Sequence, residues 1–144
     1  NFLDILENHK MLVENSGLLT VAALKHLDCK GKRVVSILSG GNMDIITLSS
    51  VVQHGLIARG RVFTVAVQLP DRPGELVNVA DIIAKEKGNV IRLEHNQFVS
   101  INRNAAVELR ITLEAFGQEH KNEILKALRD KGYDAKEETP TGMY

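Results

Sequence analysis

The chain has 144 residues, 44% of them hydrophobic, and its 18 Lys and Arg balance its 18 Asp and Glu. That suffices for one ordinary domain, or for a small domain joined to a partial one. The even balance, with no basic stripe, argues against a nucleic-acid partner, whose phosphates need clustered Lys and Arg. No apolar stretch nears the ~20 residues needed to cross a bilayer, and nothing resembles a signal peptide. The lone Cys29 cannot form an intrachain disulfide, which fits a reducing, cytoplasmic setting.

The chain opens inside a helical pattern carried by Phe2, Leu3, Ile5 and Leu6. Ser16 is placed to cap a second helix with Leu18, Leu19, Ala22, Ala23 and Leu27, ending near Asp28-Cys29-Lys30-Gly31-Lys32. The run Val34-Val35-Ser36-Ile37-Leu38 then reads as a buried strand over residues 33–38. It turns sharply at Ser39-Gly40-Gly41-Asn42 into a third helix bearing Ile45, Leu48, Val51, Val52 and Leu56. That strand has no neighbour in this segment, and a lone strand leaves its backbone groups unpaired. Residues 1–60 are therefore expected to be an α/β fragment of a larger sheet, with His54-Gly55 and Arg59-Gly60 marking its limit.

From residue 61 the pattern is sharper. Phe63, Val65, Val67 and Leu69 alternate with Thr64, Ala66 and Gln68, as in a half-buried strand. Pro73 and Glu75 suit the first turn of a helix whose apolar stripe is Leu76, Val79, Ala80 and Ile83. Lys85 and Lys87 suit its negative end, and Gly88 its left-handed cap. A second strand follows over residues 89–98. A third carries Val107, Leu109, Ile111, Leu113 and Ala115 on one face, and Arg92 and Glu94 are expected opposite Glu108 and Arg110 on the other. A helix with Ile124, Leu125 and Leu128 ends at Gly132, and residues 133–138 form a last short strand. The order β-α-β-β-α-β predicts an α+β, ferredoxin-like unit, followed by a loose tail at residues 139–144.

Two loops could carry chemistry. At Ser39-Gly40-Gly41-Asn42 the glycines let backbone N–H groups approach a ligand, and the following helix N-terminus favours anions. Ser39 would stand at the carboxyl end of a strand, where open α/β sheets bind cofactors. By local chemistry alone, an ordinary strand–turn–helix connection accounts for the same residues. The second loop, Leu69-Pro70-Asp71-Arg72-Pro73-Gly74-Glu75-Leu76, joins a strand to helix-start amides that could grip the carboxylate of a small amino acid. There Asp71 could cap the helix or meet an ammonium group, though the same residues also simply start a helix well. The five histidines stand at no tight ligand spacing, so no metal site is expected, and His95 suits a hydrogen-bonded structural place. There is no Ser-His-Asp or Cys-His arrangement.

The order of the blocks carries a resemblance. Val13-Glu14-Asn15-Ser16-Gly17-Leu18-Leu19, followed by Ser39-Gly40-Gly41-Asn42 with Asp44, resembles the last catalytic-domain segment of threonine dehydratases (threonine ammonia-lyases), which are pyridoxal-phosphate enzymes. The second loop, with Gly88-Asn89-Val90-Ile91 after it, resembles the start of an ACT regulatory domain. His95-Asn96-Gln97 is similar to a His-Asp-Arg run of that family, with two of its three positions changed.

The resemblance implies a carboxyl-terminal fragment: residues 1–60 as a remnant of the catalytic domain and residues 61–144 as an ACT-like regulatory domain. The family's Ser-Phe-Lys-like run, with its Schiff-base lysine, and its glycine-rich phosphate loop have no counterpart here. No catalytic residue is thus expected in this chain, and no cofactor bound to it alone. In the full-length enzyme, Ser39 would lie against the pyridine nitrogen of pyridoxal phosphate, with Gly40 and Gly41 passing close to the ring and Asn42 bracing the turn. Glu14 would fall near the cofactor, or else be a surface residue ahead of a helix. A hydroxyl donor leaves that nitrogen unprotonated and the ring a weaker electron sink, which suits loss of a β-hydroxyl. The implied reaction takes L-threonine to 2-oxobutanoate and ammonia.

The resemblance also implies an effector site for an amino acid, with isoleucine the candidate. It would use Leu69, Asp71, Arg72, Pro73, Gly74, Glu75 and Leu76 together with Asn89, Val90 and Ile91 of a paired domain. Self-association is expected, because a lone sheet with helices on one face leaves its edges open. The alternative is a stand-alone amino-acid-binding or dimerisation module whose first 60 residues are a structural remnant.

Overall fold

The computed structural model describes residues 1–96 and 106–139. Gln97 and Phe98, assigned above to the His95 run and to the end of the second strand, lie outside the described residues, as do residues 140–144. Packing divides the chain into two compact units, Asn1–Gly55 and Leu56–Tyr144.

The first unit holds α1 (Phe2–His9), α2 (Leu19–Ala23), which runs on as a 3-10 turn over Leu24–His26, and most of α3 (Ile45–Ala58). Ser16 does not cap α2. The N-cap is Leu18, and the Ser16 hydroxyl donates instead to Oε1 of Glu14 at 2.6 Å. The helix is also shorter than its apolar spacing suggested, since Leu27 is extended and 60% exposed. Residues 33–38 form no strand. A buried strand needs both a ladder and a cover, and among the described residues this unit supplies neither, so Val35 stands 89% exposed.

The second unit contains β1 (Val62–Pro70), α4 (Glu75–Lys85), β2 (Asn89–Asn96), β3 (Ala106–Glu114), α5 (Gln118–Asp130) and β4 (Asp134–Glu138). The strands form one antiparallel sheet in the order β2-β3-β1-β4, the split βαβ arrangement. Phe63, Val65 and Val67 of β1 share a core with Leu109, Ile111 and Leu113 of β3, Val79 and Ile83 of α4, and Ile124 and Leu128 of α5. Burying one such side chain fully is worth about 1.5–3 kcal/mol.

The opposite face of β1 is not half-exposed as its alternation suggested. Thr64 and Ala66 are each only 6% exposed. Strands flank β1 on both sides, and their polar side chains lie over it. Thr64 and Thr112 hydroxyls are 3.0 Å apart, and Gln68 Nε2 donates to Glu108 at 3.0 Å. Arg110 Nε lies 3.0 Å from Glu108 and 3.3 Å from Glu138. The β2 register also departs from expectation. Glu94 does face Arg110, but Arg92 faces Thr112 and Glu108 faces Asn96. An irregularity between Val90 and Arg92 shifts the pairing.

Two details of α4 differ from the sequence reading. Pro73 precedes the helix, whose N-cap is Gly74 at φ 94°. The buried stripe is Val79 and Ile83 with Ile82 beside them, whereas Leu76 and Ala80 are exposed, so α4 is turned from the orientation its spacing implied. At its end the left-handed residue is Lys87 (φ 60°), not Gly88. Gly88 N–H bonds the Ile83 carbonyl at 2.9 Å and Lys87 N–H that of Ala84 at 3.0 Å, a Schellman closure. Glycine is required at 88 for space, because a Cβ there would lie 2.9 Å from Ile83 Cγ2 and 3.1 Å from Ile124 Cδ1.

A lysine at positive φ carries a steric cost that glycine does not. Lys87→Gly is therefore expected to stabilise the chain by about 0.5–1 kcal/mol, read as a higher urea midpoint at unchanged slope.

Candidate functional site

The turn after residues 33–38 is held by a neighbouring segment, residues 12–20. Glu14 N–H donates to the Gly40 carbonyl at 3.1 Å, and the Thr20 hydroxyl donates to the Ile37 carbonyl at 3.1 Å. Gly40 has φ 78°, and a Cβ on it would lie 2.3 Å from Glu14 Oε1. A Cβ on Gly17 would lie 1.8 Å from the Ser39 carbonyl oxygen, so these two backbones touch through glycine alone. The structure thus brings Glu14 to the Ser39-Gly40 turn. Ser39, Gly40, Gly41 and Asn42 are all exposed, and the Ser39 hydroxyl makes no hydrogen bond among the described residues. Ser39 does not end a strand, because no strand precedes it. The side-chain bond that starts α3 comes from Asp44 rather than Asn42: its Oδ1 accepts the Thr47 N–H at 2.9 Å. Hydrogen bonding by the Thr47 side chain, and then by this N–H, holds the Asp44 carboxyl below the ordinary aspartate range. An Asp directly ahead of Ile45 was the sequence signal for this cap.

The second candidate site is spread out. Asp71, Arg72, Pro73 and Gly74 are exposed, Leu69 is buried, and Asp71 caps nothing. Glu75 is half-buried and accepts a hydrogen bond from the Tyr133 hydroxyl at 2.9 Å. Partial burial, and then the Glu75 carboxylate, push the Tyr133 phenol above its ordinary value. Asn89, Val90 and Ile91 do not join this loop within the chain. The ladder pairs Pro70 with Ala106 and Asn96 with Glu108 at one end, and Val62 with Glu114 and Asn89 with Glu114 at the other. The two parts therefore stand at opposite ends of β1, roughly 25 Å apart along the strands.

No family model matches the chain. Individual proteins do. An L-threonine ammonia-lyase of Geobacter sulfurreducens is 39% identical over 132 residues, which is 90% of this chain and 33% of that protein. One from Thermotoga maritima is 33% identical over 135 residues, 93% of this chain and 34% of its own length. A biosynthetic L-threonine dehydratase of Pasteurella multocida is 32% identical over 137 residues, 91% of this chain and 25% of its own length. The chain is a relative of the L-threonine ammonia-lyases. It spans a quarter to a third of the length of these relatives.

Three further features of this ammonia-lyase relative bear on its chemistry. His95 is exposed, and its imidazole makes no hydrogen bond among the described residues, so the side-chain role expected of it is not seen. The tethered imidazole is His120, which the sequence reading passed over. Its Nδ1 accepts the Phe116 N–H at 3.0 Å, its Nε2 lies 2.5 Å from the Glu86 carbonyl, and its ring stacks on Phe116. A groove of about 520 Å³ lies between α4 and α5, and the Tyr133 that lines it bonds Glu75 at the end of the second loop. Its charged rim is partly self-neutralised, Lys85 pairing with Asp81 at 2.6 Å. Among the described residues, no group of three His, Cys, Asp or Glu could hold a metal, and no helix is long and apolar enough to cross a membrane.

Two titrations follow. Because the folded-state pKa of Asp44 is lowered, its stabilisation of the first turn of α3 is complete above the ordinary aspartate value and disappears as pH falls through the lowered one. Protection of the Thr47 amide, taken relative to its intrinsic exchange rate, should fall in that acid window, and Asp44→Ala should abolish that fall. For Tyr133, phenolate absorbance in a Tyr144→Phe background should titrate above the ordinary tyrosine range. Glu75→Gln should bring it back down; an unchanged midpoint would show that Glu75 plays no part.

Proposed function

We propose that this chain is the carboxyl-terminal portion of a pyridoxal-phosphate-dependent threonine ammonia-lyase, taking L-threonine to 2-oxobutanoate and ammonia in the cytoplasm. The observation that carries the proposal is identity of 39% and 33%, over 90% and 93% of the chain, to proteins named for that activity. The exposed apolar run Val34, Val35 and Ile37 supports it, as surface that a neighbouring strand and covering helices would bury.

In this reading Ser39, Gly40, Gly41 and Asn42 hold the cofactor. The residues present fit such a group. The Ser39 hydroxyl is exposed and uncommitted among the described residues, and the Glu14 carboxylate fills the space that the bare Gly40 backbone leaves beside it. When bound, pyridoxal phosphate supplies the electron sink for loss of the β-hydroxyl. The Ser39 hydroxyl would donate a hydrogen bond to the ring nitrogen without protonating it, and Glu14, held by Ser16, places a carboxylate beside the turn.

Residues 61–144 we assign as an ACT-type regulatory domain that binds an amino-acid effector and pairs with a second copy. Val90 and Leu93 lie on the sheet face of the buried Leu113 and Ile111, yet they are 41% and 42% exposed. The apolar core thus runs out to an uncovered edge. A two-fold antiparallel pairing along β2 would cover it. The same pairing would set the partner's β2 start beside this chain's β2 end, toward the loop of residues 69–76, and so unite the two halves of the effector site. Isoleucine, the end of a branched-chain route, is the first effector to test; regulation through it would couple the domains by about 1–3 kcal/mol.

Thermal unfolding of the chain with isoleucine, valine, threonine or serine tests the assignment. A ligand at a hundredfold excess over its dissociation constant should stabilise by about 2.7 kcal/mol. The expected result is a rise with isoleucine, and a dimer in sedimentation that Leu93→Lys dissociates along with the thermal shift. A chain that no amino acid stabilises would reduce the domain to an assembly element.

A further inference from the structure

Residues 12–20 are the template against which the Ser39 turn is cast, and the contacts run through groups of unusual economy. Gly17 meets the Ser39 carbonyl where any Cβ would overlap it at 1.8 Å. Gly41 passes the Leu12 carbonyl, from which a Cβ would lie 3.2 Å. Thr20 reaches across to the Ile37 carbonyl at 3.1 Å, two residues before Ser39. This hydroxyl is a lateral tie from residues 12–20 to the backbone that leads into Ser39.

We propose that Thr20 and Gly17 are positioning residues for Ser39: one ties the backbone ahead of it and the other sets how closely residues 12–20 lie against it. Granted the cofactor position proposed above, they determine where the Ser39 hydroxyl stands relative to the ring nitrogen, without touching the cofactor. A polar contact displaced by about 1 Å can lose on the order of 10²-fold in effect. The Thr20 hydroxyl acts through a backbone carbonyl, so its removal should displace Ser39 while the cofactor's other contacts remain.

The experiment uses the full-length lyase carrying this segment, stripped of cofactor and titrated with pyridoxal phosphate alone by absorbance, with kcat and KM measured alongside. Thr20→Val, Thr20→Ser, Ser39→Ala and the double variant Ser39→Ala/Thr20→Val are compared. The Thr20 variants change one group on an exposed residue, which keeps the test clear of folding failure; Gly17→Ala is added only if it retains the wild-type melting temperature. The expected result is that Thr20→Val weakens cofactor affinity by about tenfold or more and lowers kcat more than it raises KM, while Thr20→Ser matches the wild type. The double variant should be no worse than Ser39→Ala, because both changes act through one hydroxyl. Additive losses, wild-type behaviour of Thr20→Val beside a weakened Ser39→Ala, or equal damage from Thr20→Ser would each overturn the positioning role. If Ser39→Ala itself leaves cofactor affinity and spectrum unchanged, the cofactor assignment falls instead.

Discussion

The pairing of β1 with β3 is the constraint on which the second unit depends. It runs unbroken from Val62 opposite Glu114 to Pro70 opposite Ala106, and it aligns Phe63, Val65 and Val67 with Leu113, Ile111 and Leu109 as one apolar surface. Because strand side chains alternate strictly, a slip of one residue would turn that whole surface to the polar side and bury Arg110 and Glu108 against α4 and α5. The polar face reinforces the same register. Thr64 meets Thr112, and Gln68 meets Glu108, only when the apolar residues are also in step. Both faces therefore select one arrangement, and the helices dock on a surface already defined.

The first unit shows what happens where that constraint is missing. Its residues 33–38 have the composition of a buried strand but no strand partner among the described residues, and they are held by one hydroxyl and by glycine-mediated contact with residues 12–20. Cα-level proximity there comes from the absence of side chains at Gly17 and Gly40 rather than from apolar burial. This is a geometry suited to placing a polar turn, and it explains why Glu14 and Ser39, distant in the chain, come together.

The two proposed sites differ in what they still require. The Ser39 turn is assembled within one chain, and in the proposed reading a larger sheet would complete it. The loop of residues 69–76 is separated from Asn89, Val90 and Ile91 by the length of β1, so an effector site built from both needs a second copy. In the proposed pairing, the edge of β2, uncovered among the described residues, would carry the partner's half of the site. On this reading, assembly and ligand binding are linked events, and effector affinity depends on protomer concentration.

Much of the second unit was legible in the sequence, since Val107, Leu109, Ile111, Leu113 and Ala115, and Ile124, Leu125 and Leu128, are all buried as their periods required. Local pattern sufficed there because each residue's neighbours along the chain share its fate on a strand or helix face. The relationship to threonine ammonia-lyases was legible too, from the order of short blocks rather than from any one of them. Tertiary structure alone decided the rest. Periodicity reports a face but not what lies over it, so Thr64 and Ala66 are buried beneath cross-strand side chains, and α4 turns Ile82 rather than Leu76 inward. Backbone hydrogen bonding, not residue type, made Lys87 the left-handed residue and left Gly88 to fill a space too small for a methyl group. A strand exists only with its partner, and so the apolar run over residues 34–38 forms no strand among the described residues.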